Sequence, residues 1–328
     1  MPHTSREVHL VSRPEGLPKP TDFALVERAI KDPAEGQILV QNLYMSVDPY
    51  MRPRMTADFS LDAVMDGGAL GRVVQSRNPR FKEGELVRNG FGFREYFLSD
   101  GRGVQGLEAD PDLPLTVYMH ALGGTGFTAY GGLLEIGQLK DEEQVFVSAA
   151  AGAVGSVAAQ IARLRGCYVV GSAGSDEKCE WLRAEAGLDA ALNYRAQPIA
   201  KSLSAVTPRG VDVYFDNVGG EHLDAALARI NTLGRIAVCG MISGYNDGGA
   251  PVKGLAAIIY GRVTIRGFVA TDFLAVHDRF VSDMTGWLKS GQIKYQETIV
   301  DGLEAAPEAL IGLFKGANSG KMLVRLAA

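Results

Sequence analysis

Residues 144–174 read QVFVSAAAGAVGSVAAQIARLRGCYVVGSAG. The run from Gln144 to Ser148 is short and apolar, as in a strand buried on both faces. Only small side chains follow as far as Ala153. Val154, Val157, Ala158, Ile161 and Ala162 then recur at helical spacing and make one apolar face. Arg163 and Arg165 fall off that face, toward solvent. Tyr168 to Gly171 restarts a strand. In this order of strand, turn, helix and strand, the helix N-terminus offers unpaired N–H groups and a partial positive charge, which suit a pyrophosphate. Gly152 lets the anion approach, and Gly155 lets the helix pack close to the strand. Ala150 stands where the first glycine of G-x-G-x-x-G usually lies, so dinucleotide binding is inferred from the order of elements as much as from the glycines. A turn that merely packs a βα unit is the competing explanation.

The end of the second strand bears on which dinucleotide. A site for the unphosphorylated cofactor usually carries Asp or Glu about 20 residues after the turn, on the adenosine ribose. Here Gly171 to Ser175 reads GSAGS, Lys178 follows closely, and Tyr194 closes the next strand. Small hydroxyl residues with a lysine suit a 2′-phosphate, which points to NADPH/NADP+. The alternative for Lys178 is a solvated lysine on a helix face.

With 328 residues the chain is long enough for two domains. Its 46% hydrophobic and 22% charged content is that of a globular enzyme, and a net charge of −5 gives no basic footprint for nucleic acid. No apolar run is long enough to cross a bilayer, so no membrane partner is expected. Met1 to Val11 is polar and lacks the apolar core of a secretory signal, and the odd, scattered Cys167, Cys179 and Cys239 suit reduced core thiols in a cytoplasmic chain.

Before residue 120 short strand signals dominate, at 37–44, 70–76, 82–87 and 94–98, suggesting a compact barrel-like β domain. From Ala121 the pattern alternates. A helix at 125–134 precedes the glycine turn, and strands follow at 190–194, 211–216, 235–240 and 263–268, with a late helix at 280–288. That alternation predicts a doubly wound parallel sheet. A strand at 322–326 is expected to rejoin the first domain. The expected segments are 1–120, 121–292 and 293–328.

With these features in place the chain resembles the medium-chain dehydrogenase/reductase superfamily, in its zinc-free alkenal and prostaglandin reductase branch. The stretches that carry the resemblance are 46–52 (SVDPYMR), 149–156, 171–178 (GSAGSDEK), 215–220 (FDNVGG) and 239–246 (CGMISGYN), and it spans nearly the whole chain. It implies an α/β fold in which a Rossmann domain is combined with a GroES-like β-barrel catalytic domain drawn from both chain ends. It implies NADPH held by Gly152, Ala153, Val154, Gly155, Lys178, Tyr194, Asn217, the turn Cys239, Gly240, Met241, Ile242, Ser243, Gly244 and Tyr245, then Phe268, Val269, Ala270 and Asn318. It implies a homodimer joined through the Rossmann sheets. It also implies hydride addition across an α,β-unsaturated carbonyl (an enone or enal substrate), with Tyr260 beside the reacting oxygen.

Zinc-dependent relatives carry Cys or His in the first domain and a Gly-His-Glu motif; the matching places here are Ser46 and Asp66 to Ala69, and no four-cysteine cluster exists. Without a metal, negative charge on the carbonyl oxygen has to be met by hydrogen-bond donors, and a phenol in a dry cleft does so selectively in the transition state. Tyr260 is the expected catalytic donor; the alternative is a packing tyrosine. Tyr50 follows Pro49 in a turn that could aim it at substrate. Arg52 is a candidate for an anionic substrate or for a local ion pair. Asn217 follows a strand end, where ligands of open α/β sheets gather, and also suits a plain turn. The stretches 55–65, 89–95 and 248–254 depart from the branch pattern and are expected to line the substrate cleft. Quinone or enoyl-thioester reduction is the alternative chemistry, and a non-catalytic NADPH-binding protein is the alternative outside catalysis.

Overall fold

The computed structural model describes residues 3–249 and 251–327. Met1, Pro2 and Ala328, at the limits of the expected segments, and Ala250, within a stretch expected to line the cleft, lie outside the described residues. The described chain forms two compact units. The first runs to Met119 and takes in Glu297–Asn318 and the residues from Met322 on; the second is His120–Gln296 with Ser319–Lys321.

The chain begins with β1 (His3–Leu10), β2 (Phe23–Ile30), β3 (Ile38–Ser46), α1 (Met51–Ala57), β4 (Ala63–Val64), β5 (Ala69–Ser76), β6 (Leu86–Asn89), β7 (Tyr96–Ser99) and β8 (Val104–Gly106). The middle comprises α2 (Gly124–Gly131), β9 (Gln144–Val147), α3 (Gly155–Leu164), β10 (Tyr168–Ala173), α4 (Asp176–Ala184), β11 (Ala190–Asn193), α5 (Ile199–Val206), β12 (Val211–Asp216), α6 (Gly220–Leu227), β13 (Ile230–Val238), α7 (Ala256–Gly261), β14 (Thr264–Gly267) and α8 (His277–Lys289). It ends with β15 (Glu297–Asp301), α9 (Ala306–Lys315) and β16 (Lys321–Arg325).

In the first unit β1, β2 and β4 form a small sheet, and a larger one runs β15-β16-β3-β5-β6-β8, with β7 also on β3. β16 lies antiparallel to β3, with Leu323 opposite Ser46 and Arg325 opposite Tyr44. Met45, Met51, Met55, Met65, Phe93, Leu310 and Val324 share one apolar core. The β1–β2 hairpin was not among the expected strands, and the reason is physical. Ser5, Glu7 and His9 of β1 are buried, so polar residues occupy the inward positions and mask the period of two. They are satisfied there: His9 Nε2 lies 2.8 Å from Glu7 Oε2, and Ser5 Oγ donates to Tyr96 O at 3.0 Å.

The second unit carries a parallel sheet in the order β11-β10-β9-β12-β13-β14. Phe146, Val170, Leu192, Tyr214 and Ile236 fill one side of it with Leu203 and Leu227 from the helices. Helix α3 is buried more completely than one apolar face requires. Ser156 and Gln160 are also buried, and Gln160 exchanges hydrogen bonds with Lys294 (2.7 Å to its carbonyl, 2.8 Å from its N–H). Arg165 is exposed as expected, whereas Arg163 is half-buried and donates to Gln292 O at 3.0 Å. Among the described residues no helix is long and apolar enough to cross a membrane.

Candidate active site

The strand order decides where a ligand goes. From β9 the chain crosses to β10 on one side, while β12 leads to β13 on the other. The order therefore reverses between β9 and β12, and the crevice outside the carboxyl ends of those strands is where open α/β sheets bind ligands. The turn at 148–154 leaves β9 there, and Asn217–Gly219 leaves β12. Because the sheet is parallel, the turns after β10, β11, β13 and β14 leave from the same edge. The turn after β10 leads into the first turn of α4, which holds Lys178, and the other three carry Tyr194, Cys239–Tyr245 and Phe268–Ala270 respectively. Sequence-distant candidates of this unit are thus brought to one edge by topology alone.

Local packing explains the departure from G-x-G-x-x-G. A Cβ on Gly155 would collide with Ala149 O and sit 2.9 Å from Ala150 Cα, so helix α3 can approach β9 only with glycine there. Such overpacking costs roughly 1–3 kcal/mol. Ala150 is tolerated because the facing residue is Gly171, whose own Cβ would lie 2.7 Å from the Ala150 methyl. The space usually supplied by the first glycine is supplied across the sheet. Gly152 N donates to Ala149 O at 2.9 Å and Ser156 N to Gly152 O at 3.0 Å, which closes the turn into the helix.

On the β12 side Asn217 N donates to Ser148 Oγ at 2.9 Å and Asn217 Nδ2 to Ser148 O at 2.7 Å, joining the two central strand ends. The turn after β13 folds back on this segment. Ser243 Oγ donates to Val218 O at 2.6 Å, and Met241 N donates to the Tyr245 hydroxyl at 3.2 Å. Burial, then the Asp216 charge, push the Cys239 thiol up to about 12, so it stays protonated and unreactive. Phe268 packs edge-on to Phe215 at 6.1 Å, while Val269 beside it is exposed.

The remaining corner suits a phosphate. Ser175 caps α4 by accepting from Lys178 N at 3.3 Å. Burial first, and the Arg195 charge second, hold the Lys178 amine below its ordinary range. A Cβ on Gly174 would lie 2.9 Å from the Tyr194 hydroxyl and 3.4 Å from Arg195 Nε, so tyrosine and arginine crowd the same bare backbone. Tyr194 rests edge-on against His222, whose imidazole burial pushes down to about 4 and keeps neutral. Asp176, the acid nearest the end of β10, accepts from Asn193 Nδ2 at 2.9 Å. Arg195 is a further cation that the fold brings to this corner, and its position directly after Tyr194 is the one signal of it in the sequence.

Tyr260 and Arg52 stand differently from expectation, whereas Tyr50 remains a candidate in the turn where it was expected. Tyr260, at the end of α7, is 84% exposed. Its phenol is therefore not packed into the core of its own unit and stands open to solvent. Arg52 is buried, with Nε and Nη2 donating to Gly16 O at 3.2 and 2.9 Å, Nη2 to Pro14 O at 3.1 Å and Nη1 to Thr56 Oγ1 at 2.8 Å. Its guanidinium holds the chain's own loop, so the anionic-substrate role is not carried forward. Tyr50, preceding α1, is 45% exposed, and desolvation, followed by Asp48, pushes its phenol up to about 12. It is therefore a neutral donor at any working pH. Tyr50, Arg52 and Asn318 belong to the first unit, Tyr260 and the other cofactor candidates to the second. Gly320, just past Asn318, donates to Ala151 O at 2.9 Å within the second unit.

Two family models match the chain: an N-terminal domain of oxidoreductase over residues 6–107, and a zinc-binding dehydrogenase over residues 153–286. An NADPH-dependent curcumin reductase of Escherichia coli (strain K12) is 41% identical, over 97% of this chain and 96% of that protein. The chain belongs to the medium-chain dehydrogenase/reductase family. Within this family it falls in the zinc-independent double-bond reductase branch. An NADP(+)-dependent 2-alkenal reductase of Nicotiana tabacum is 39% identical over 99% of this chain and 98% of that one. The crystal structure of CurA from Vibrio vulnificus in complex with NADPH superposes with a TM-score of 0.93 at 40% identity, covering 98% and 99% of the two chains. Although one family model is named for zinc, among the described residues no group of three or more His, Cys, Asp or Glu side chains is placed to hold a metal ion.

Proposed function

We propose that the enzyme reduces the carbon–carbon double bond of α,β-unsaturated ketones and aldehydes. It is an NADP-dependent oxidoreductase. The observation that carries the cofactor half is the corner of Ser175, Lys178, Tyr194 and Arg195 at the carboxyl edge of the sheet, where hydroxyls and cations stand in place of a ribose-binding acid. The curcumin and alkenal specificities of the relatives support the substrate half.

When bound, NADPH supplies the hydride that reaches the β-carbon of the substrate. The turn at 152–155 and the N-terminus of α3 receive the pyrophosphate. Asn217, the 239–245 turn, Phe268–Ala270 and Asn318 hold the rest of the nucleotide. As charge gathers on the carbonyl oxygen, Tyr260 donates a hydrogen bond to it, an interaction stronger in the transition state than before it. The α-carbon then takes a proton, from the phenol or from water. Tyr50 binds the substrate through its neutral hydroxyl.

The exposed Tyr260 needs a cover, and a second copy is the partner proposed. β14 is the last strand of its sheet, and Leu233, Ile259, Val269 and Leu274 are exposed on or beside the elements that flank it. An open edge with apolar neighbours favours strand pairing with another chain. Sedimentation equilibrium is expected to give twice the mass of one chain; a monomer at micromolar concentration would remove the homodimer.

A panel of enones, enals, quinones and acyl-CoA esters, assayed by NADPH loss, tests the reaction. Turnover of enones and enals is expected. Preferential turnover of quinones or thioesters would transfer the function to those substrates, and NADPH binding without any turnover would make the protein a nucleotide binder.

A further inference from the structure

Asp216 closes β12 at the point where the strand order reverses, and it is wholly buried. Its Oδ1 accepts from the Tyr214 hydroxyl at 2.6 Å, Gly219 N at 2.8 Å, Val218 N at 2.9 Å and Ser148 Oγ at 3.3 Å. Its backbone carbonyl accepts from Cys239 N at 2.8 Å and Gly240 N at 3.1 Å. Ser148 Oγ relays the arrangement to Asn217 N. One residue therefore ties together the ends of β9, β12 and β13, from which three of the nucleotide-binding segments leave. Its other oxygen, Oδ2, is equally buried and has no hydrogen-bond partner among the described residues.

For stability alone this is a poor choice of side chain. Burying a carboxyl and leaving one oxygen unpaired costs more than an apolar residue would, and burial correspondingly raises the Asp216 pKa against the donors that lower it. The segment it organises explains the choice. Gly219 and Gly220 have φ of 70° and 51°, conformations that a Val-Gly-Gly run reaches only as one of many. Left unanchored, that run would have to be ordered each time the nucleotide arrived, at the expense of affinity.

We infer that Asp216 is a positioning residue for the cofactor: its carboxyl holds the Asn217–Gly220 turn, and its carbonyl the start of the 239–245 turn, in the binding shape before the nucleotide arrives. The inference rests on the NADPH reading above. It requires the acceptor at Oδ1 and does not require a negative charge.

The test is NADPH titration by fluorescence together with steady-state kinetics on Asp216→Asn and Asp216→Ala. Asparagine keeps the acceptor, so its NADPH Kd is expected to stay within about threefold of the parent, whereas alanine is expected to weaken it about tenfold or more. For alanine, KM for NADPH should rise by a larger factor than kcat falls. A purely structural role would instead lower the active fraction, and with it kcat, at constant KM. A folded alanine variant that binds NADPH as the parent does, or an asparagine variant as weak as alanine, overturns the inference. Should alanine fail to fold, Ser148→Ala removes the relay to Asn217; a several-fold rise in Kd is expected, and an unchanged Kd overturns the inference. A parent enzyme that does not bind NADPH would instead defeat the cofactor assignment itself, so the two failures are distinguishable.

Discussion

Lys178→Ala is expected to weaken NADPH binding about ten- to a hundredfold while leaving NADH binding within about threefold, because a hydrogen bond to a charged group is worth ~1.5–3 kcal/mol and 1.4 kcal/mol is tenfold. The two nucleotides differ only in the 2′-phosphate, so their ratio isolates that contact from effects on the fold. Arg195→Ala should shift the same ratio in the same direction by a smaller factor, since Arg195 is the more exposed of the two cations. The Lys178 amine is held below its ordinary 10.5 by burial and by Arg195. Its charge is complete below that lowered pKa and is lost as pH rises through it, so the preference for NADPH should fall off earlier on the alkaline side than an ordinary lysine would allow. Equal changes in the NADPH and NADH dissociation constants of Lys178→Ala would place the phosphate elsewhere.

Tyr260→Phe is expected to lower kcat for an enone roughly ten- to a thousandfold, the range for losing one donor to a developing oxyanion. The size of the loss will measure how dry the phenol becomes. In the single chain it stands 84% exposed, where a hydrogen bond exchanges with water and contributes little. A large effect therefore requires substrate, nucleotide or a second copy to cover the ring during turnover. A loss at the lower end would mean that water reaches the oxygen. Tyr50→Phe provides the contrast: a binding role raises KM for the enone more than it lowers kcat. Single-turnover hydride transfer, followed at saturating NADPH, separates these effects from product release. If the Tyr260→Phe rate equals that of the parent, the phenol is not part of the chemistry.

Much of this was legible in local pattern. β9, β10 and β12 could be read because a strand buried on both faces is a continuous apolar run, and Gly155 because close helix–strand contact admits no side chain. Where inward positions are polar, as in β1, the pattern failed: Ser5, Glu7 and His9 satisfy one another and the neighbouring strands, a compensation that no local rule displays. The site divides in the same way. Residue types offered Lys178 as a candidate for the 2′-phosphate and the lack of an acid as the cofactor signal. They could not reveal Arg195, which approaches Gly174 only in the fold, or show that Arg52 binds Pro14 and Gly16, some forty residues earlier in the chain.

The order of apolar runs and small residues by itself determined the parallel sheet, the glycine turn and the kind of nucleotide, because burial, backbone clearance and charge act between neighbours in the chain. Tertiary structure alone decided that Asp216 is a shared anchor, that Arg52 serves its own loop and that Tyr260 lies open. Those outcomes depend on which strands become adjacent and which backbone groups they present, and hydrogen bonds and exposure are properties of that adjacency.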